Sequence, residues 1–303
     1  MRRISCFVIA LCLMALASRS AAAALKVVAT TPDLGAIARE VGGSDADVTV
    51  LALYTQDPHW VDARPHLALA LSRADLLIAT GAGLEVGWLP VLLTGSRNPE
   101  VQTGAKGYLE AAALVPLLDV PARKVDRSEG DIHPQGNPHF TYDPRRVETL
   151  AVGIGKRMAE LDPEHQRGYF ERTRSFVETV RAARKRWEQK LAKARGAKII
   201  GYHRSLAYLA DWLGLEVVEH IEPRPGIPPN PSHVAHVLSI AKSAKVRLIL
   251  QEAWYPDNSS KLIAEKSGAR LLRMQGLPNY GAKQSYVAFV DVLVRRLAEA
   301  LGV

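Results

Sequence analysis

The sequence predicts an α/β protein made of two β-α-β lobes with mainly parallel sheets, joined by one long helix, with a cleft between the lobes. Three observations carry this. Short apolar, β-rich runs alternate with amphipathic stretches at each end of the chain, which is the signature of β-α-β units around a parallel sheet. A helical tract of about 30 residues, with almost no strand signal near it, separates the two ends. At 303 residues, the chain has room for one large or two ordinary domains of roughly 150 residues each.

The elements follow in order. Residues 25–30 (LKVVAT) read as a strand, and Pro32-Asp33-Leu34 opens an amphipathic helix through Val41 that Gly42-Gly43 stops. Residues 48–51 read as a second strand, 65–72 as a helix and 75–80 (DLLIAT) as a third strand. From Pro144 onward the strand signal disappears. Residues 163–194 keep apolar side chains at Tyr169, Phe170, Phe176, Val177, Val180, Trp187 and Leu191, with Gly168 as the one weak point. That helix would span about 45 Å at 1.5 Å per residue, a rigid strut between lobes. Gly196 ends it. Strands then resume at 198–201 (KIIG), 216–218, 247–250 (RLIL) and 269–272 (ARLL), and an amphipathic helix over 285–301 closes the chain. The Pro-rich residues 222–231 read as a structured loop or a rim of the cleft, where open α/β sheets collect ligands at the carboxyl ends of their strands. The expected organisation is an N-terminal lobe at 25–144, a helical linker at 145–195 and a C-terminal lobe at 196–303.

Residues 1–24 read as an address. Arg2 and Arg3 precede an apolar run over 4–17, followed by the small-residue tract Ala21 to Ala24. This is the grammar of a cleavable signal peptide, and the run is too short to span a bilayer. Both cysteines, Cys6 and Cys12, lie inside it. The mature chain would therefore have neither disulfide nor thiolate metal site, and a core of about 280 residues needs no staple. A periplasmic location is expected. The net charge of +8 is modest and spread widely, so it does not indicate nucleic acid.

Among 9 histidines, three share a context: each follows an apolar run or a turn signal entering the cleft. His59 lies in Asp57-Pro58-His59-Trp60, His139 in Gly136-Asn137-Pro138-His139, and His203 in Gly201-Tyr202-His203. The residue before a proline favours an extended backbone, which presents the following imidazole from a turn. Taken singly, each reads as a hydrogen-bonded loop histidine. Three converging imidazoles would suit zinc best, and only the fold can bring residues so distant in the chain together.

The same residues carry a family resemblance. Asp57-Pro58-His59, then Asn137-Pro138-His139 followed by Asp143-Pro144, then His203 followed by Leu206-Ala207-Tyr208-Leu209 and Gly214-Leu215 resemble the metal-binding solute-binding proteins of bacterial ABC importers, zinc-receptor type. The opening residues 27–32 (VVATTP), Ala74-Asp75-Leu76 and Gly268-Ala269 match as well, so the likeness runs through the mature chain. It implies a two-lobed fold tied by a long helix, and a non-enzymatic receptor that captures zinc and delivers it to a membrane permease. The expected partners are Zn2+ as transported ligand and the ABC-transporter permease, with the receptor acting as a monomer. The resemblance makes His59, His139 and His203 the metal ligands, and His rather than Glu at the third position points to zinc over manganese.

The fourth position departs from the family pattern. Gln275 stands where an aspartate is expected, and an amide oxygen is a poor zinc ligand. Glu252, at the end of the strand over 247–250, is the nearest acidic candidate, although a structural role at the lobe interface suits it better; water is the third option. The short acidic loop over 126–133, with Glu129, Asp131 and His133, offers at most a weak second metal site, and a solvated loop is the plainer reading. His233 and His236 fall on one face of a helix beginning near Ser232. The alternatives are a manganese, iron or chelated-metal receptor, with Trp60, Tyr142, Tyr202 and Trp254 as candidate walls, and an exported zinc hydrolase with Glu252 as base. The hydrolase lacks any compact motif such as HExxH.

Overall fold

The computed structural model describes residues 23–123, 130 and 132–303. The expected signal peptide falls almost wholly, and the acidic loop largely, outside the described residues. Two four-stranded parallel sheets account for every strand among them. The first contains β1 (Leu25–Ala29), β2 (Ala46–Val50), β3 (Leu76–Ala79) and β4 (Tyr108–Glu110), in the order β2-β1-β3-β4. The second contains β5 (Lys198–Gly201), β6 (Glu216–His220), β7 (Leu248–Glu252) and β8 (Arg270–Met274), in the order β6-β5-β7-β8. The two orders are the same, and in each the connection reverses direction beside the first strand. Crevices for ligands open at such switch points, beyond the carboxyl ends of the strands.

Helix starts and stops follow local chemistry. Proline occupies the first turn of α1 (Pro32–Gly42), α2 (Pro65–Ser72) and α3 (Leu89–Ser96), where a missing N–H costs nothing. The same holds for α4 (Pro144–Leu161), whose N-cap Asp143 accepts from Arg145 N. After α5 (Gln166–Leu191) comes the short α6 (Ala207–Leu213), which ends on Gly214 at φ 67°. Asn230 caps α7 (Pro231–Ser243), Gly268 ends α8 (Asn258–Ser267), and Ser285 caps α9 (Tyr286–Leu301). No described helix is long and apolar enough to cross a membrane.

The chain passes between sheets through α4 and α5, which pack against each other. At 26 residues α5 is about 39 Å long. Its buried face is Tyr169, Thr173, Phe176, Val177, Val180, Ala183, Trp187 and Leu191. Phe170, expected among these, is 47% exposed because it lies one position round from that stripe. At the first-lobe end, Tyr169 donates to Asp45 O and Arg172 to Val41 O and Asp45. Near the other end, Trp187 donates to Asp291 on α9 at 2.6 Å and packs edge-on against Trp212. From the opposite side, Tyr280 donates to Val48 O at 2.6 Å and Arg39 to the carbonyl of Gln284 at 2.9 Å. One continuous apolar core runs through both sheets, α1, α4, α5 and α9. Separate smaller cores lie under α2 and α3 on one flank and under α7 and α8 on the other.

Four elements gave no clear signal in the sequence. β4 has only three residues at a sheet edge. α3 (LPVLLTGS) is apolar nearly all round, which erases the helical period, while α6 and α8 are short.

Candidate metal centre

His59 sits in the loop after β2, His139 in the turn before α4, and His203 two residues beyond β5, at the switch point of the second sheet. The fold brings these three together: one ligand atom from each lies within 4.8 Å of the others. Their ring centroids form a near-equilateral triangle with sides of 5.1, 5.2 and 5.3 Å. Imidazoles at three corners of a tetrahedron around zinc, with Zn–N near 2.0–2.1 Å, would have centroids about 5.2 Å apart.

Each ring is aimed by its other nitrogen. His59 Nδ1 donates to Asp57 Oδ1 at 2.7 Å, and the same oxygen accepts the His59 backbone N–H at 3.0 Å. His139 repeats the device: Asn137 Oδ1 accepts its Nδ1–H at 2.8 Å and its backbone N–H at 3.0 Å. The Asn137 amide is itself fixed, because its Nδ2 donates to Arg204 O at 2.7 Å and to Asp119 at 3.0 Å. His203 Nδ1 donates to Glu222 Oε2 at 2.8 Å, and that oxygen also accepts from Gly226 N. With every Nδ1 carrying the proton, each Nε2 can act as a metal ligand, the arrangement by which oxygen acceptors orient ligating histidines.

Electrostatics favours the neutral, ligating ring. Burial first, and then the neighbouring imidazoles of His203, His59 and His133, hold His139 well below its ordinary pKa. Burial works to raise the Asp57 carboxyl, but the hydrogen bond and charge of His59 outweigh it and hold it low. It therefore remains an acceptor.

Neither candidate for the fourth position joins the triad. Gln275 turns its amide away, donating to Leu277 O at 2.6 Å and Gln284 Oε1 at 2.8 Å. Glu252, 1% exposed, accepts from Ser205 and from Tyr142 at 3.3 Å, and Tyr142 also donates to Gly276 O at 3.0 Å. Burial pushes the Glu252 carboxyl up to about 7. Sequence reasoning gave His133 at most a place in a weak second metal site; its Nε2 lies 3.2 Å from His59 Nε2. Its context, His133-Pro134, reverses the Pro-His order of the other two turns. His233 Nε2 donates to His220 O instead of facing a metal partner, and its ring lies 6.0 Å from that of His236.

A cavity beside the triad is lined by His133, His139, His203, Asn137, Arg204 and Asp119, among others. The four candidate wall aromatics do not line that cavity, although Tyr142 and Trp254 share a smaller one with His59 and His139. Trp60 is 58% exposed, Tyr202 stacks on Tyr255 at 4.5 Å, and Tyr142 and Trp254 line a smaller cavity with Glu252.

The sequence of this chain matches the family described as "Zinc-uptake complex component A periplasmic" over residues 27–300. The chain belongs to that family. It is a family of solute-binding proteins, not of enzymes. Among its curated relatives, the zinc-binding lipoprotein AdcA of Streptococcus pneumoniae is 23% identical across 87% of this chain, which spans only about half (52%) of that protein. The high-affinity zinc uptake system protein ZnuA of Bacillus subtilis is 20% identical over 90% of this chain and 85% of its own length. Among solved structures, a crystal structure of ZnuA aligns with a TM-score of 0.75 at 23% identity, covering 91% of this chain and 99% of that one. The solute-binding protein FpvC from Pseudomonas aeruginosa, in complex with Mn2+, gives 0.77 at 23% identity, covering 92% and 98%. These likenesses establish the shared fold.

Proposed function

We propose that this chain is the periplasmic receptor of a zinc importer: it captures a zinc ion on the Nε2 atoms of His59, His139 and His203 and delivers it to an ABC-type membrane permease. The observation that carries the reading is the triangle of imidazoles, each with its Nδ1–H committed to an oxygen. A neutral nitrogen donor set without a carboxylate suits zinc and disfavours manganese, which prefers oxygen ligands. The relatives named for zinc support the same cargo; another, from Streptococcus gordonii, is named for manganese at 24% identity over 56% of this chain.

The signal-like residues 1–24 support export and a mature start near Leu25. The division into lobes at 25–144 and 196–303, with 145–195 between them, is supported by one parallel sheet in each lobe. Both ends of α5 are pinned, so release relies on local movement rather than a wide hinge.

The test is metal content of the mature protein, purified without a His-tag, followed by competitive zinc and manganese titration of wild type and His139→Ala. One zinc per chain, bound more tightly than manganese and weakened by orders of magnitude in the variant, is the expected result. An unchanged zinc affinity in His139→Ala would refute the site, and a preference for manganese would refute the cargo.

A further inference from the structure

His59 and His133 are placed to share a cation. His59 Nδ1–H is committed to Asp57, and His133 Nδ1 donates to the carbonyl of Ala82 at 3.1 Å. With both rings neutral, the two Nε2 atoms that face each other at 3.2 Å both present lone pairs. A positive charge between them, a proton or a metal ion, relieves their repulsion. Two nitrogens bound to one tetrahedral zinc would be about 3.3 Å apart, close to the separation observed.

The support behind His133 is as specific as that behind the triad. Ala82 lies in the turn after β3, where Gly81, Ala82 and Gly83 adopt φ of 81°, 50° and 80°. A left-handed conformation is costly for a residue with a Cβ and persists where its surroundings enforce it. Here Ala82 N donates to Glu110 at 3.1 Å while its carbonyl faces His133. His133 thus repeats the support of the other three, Nδ1–H on an oxygen, with its Nε2 toward His59. Its ring centroid lies 5.3 Å from His59, as a fourth tetrahedral corner requires, and 6.2 Å from His139. Closing on His139 by roughly 1 Å would bring that pair to the tetrahedral spacing, and the ring must also approach His203. Gln275 is engaged elsewhere, and Glu252, held through Oε1 by Ser205 and Tyr142, is not grouped with the triad.

We propose that His133 is the fourth metal ligand, so that the site is an all-imidazole tetrahedron. This rests on the triad reading above and sharpens it, because four neutral nitrogens with no carboxylate leave little for an oxygen-seeking ion. The sequence thereby compensates for Gln275 from a different part of the chain.

The test uses the mature chain loaded with zinc, and in parallel with cobalt as a spectroscopic probe, in wild type, His133→Ala and His139→Ala. X-ray absorption at the zinc edge counts imidazoles, and the visible cobalt bands report coordination number. In His133→Ala the chain should still bind one zinc, with affinity lowered roughly ten- to a hundredfold, one imidazole fewer and a changed cobalt spectrum. Thermal unfolding of the metal-free proteins should superimpose, which separates a lost ligand from a lost fold. A His133→Ala protein with wild-type affinity and imidazole count would overturn the proposal. If His139→Ala were equally silent, the failure would belong to the triad itself; if only His139→Ala weakened zinc, it would belong to His133 alone.

Discussion

The two lobes build their halves of the site by different means. The first supplies His59 and His139 from tight turns in which residue i, an Asp or Asn, uses one oxygen to hold both the backbone N–H and the ring N–H of the histidine at i+2. The intervening proline fixes the turn that lets a single oxygen reach both donors. The second lobe supplies His203 from the end of a buried strand and orients it with Glu222, 19 residues away, beyond the neighbouring strand. Support in the first lobe is local and written in three consecutive residues, whereas in the second it exists only once β5 and β6 have paired. The metal site is thus prepared half by turn chemistry and half by sheet topology.

The largest test of that contrast is Asn137→Ala. Asn137 aims His139, but it also ties the turn to Arg204 O in the second lobe and to Asp119. Its loss should lower zinc affinity roughly ten- to a hundredfold. Because four hydrogen bonds go with it, folding stability should also fall by about 2–4 kcal/mol. Zinc titration and urea unfolding measure the two effects. Weakened binding with an unchanged urea midpoint would show that the turn holds itself and that the tie across the lobes is incidental.

Glu222 should behave differently, because the strand and not the acceptor fixes the backbone of His203. Glu222→Ala is expected to weaken zinc about tenfold with little change in the urea midpoint. Glu222→Gln, which retains an acceptor oxygen, should recover most of the affinity. If Glu222→Ala destabilised the metal-free protein as much as Asn137→Ala, the claimed difference between the lobes would fail.

The same contrast explains what the sequence made legible. The Asp-Pro-His and Asn-Pro-His turns carry their own geometry, so His59 and His139 stand out by inspection. His203 was located by its place after a strand, and its partner Glu222 lay unremarked in a proline-rich rim. His133 was the harder case. Its significance depends on the left-handed turn at Ala82 and on the approach of two loops from different strands, and neither leaves a local trace. The fold was legible wherever period or punctuation was strong, as with the prolines that open the helices. It was not legible at β4 or α3, where an edge strand of three residues and an evenly apolar helix give no period to read.

The last test concerns the acid that the second lobe keeps out of the site. Burial raises the Glu252 carboxyl to about 7 from an ordinary 4.5, so between those values the folded chain holds a proton that the unfolded chain has released. Its contribution to stability is therefore fully present below about 4.5 and is lost as pH rises through about 7. Glu252→Gln, neutral throughout, should remove that loss and leave the metal-free protein more stable than wild type at pH 8 by up to about 3 kcal/mol. His220 pulls the other way. Burial and the charge of Arg204 push it down to about 4, so its contribution is lost as pH falls from 6.5 toward 4. The difference between wild type and variant cancels that background. Urea unfolding at pH 5 and pH 8 should show the two proteins diverging only at the higher value. Parallel curves would mean that Glu252 is ionised across the range, a standing carboxylate beside the triad, and the argument for a carboxylate-free zinc site would have to yield to one in which the second lobe supplies an anion.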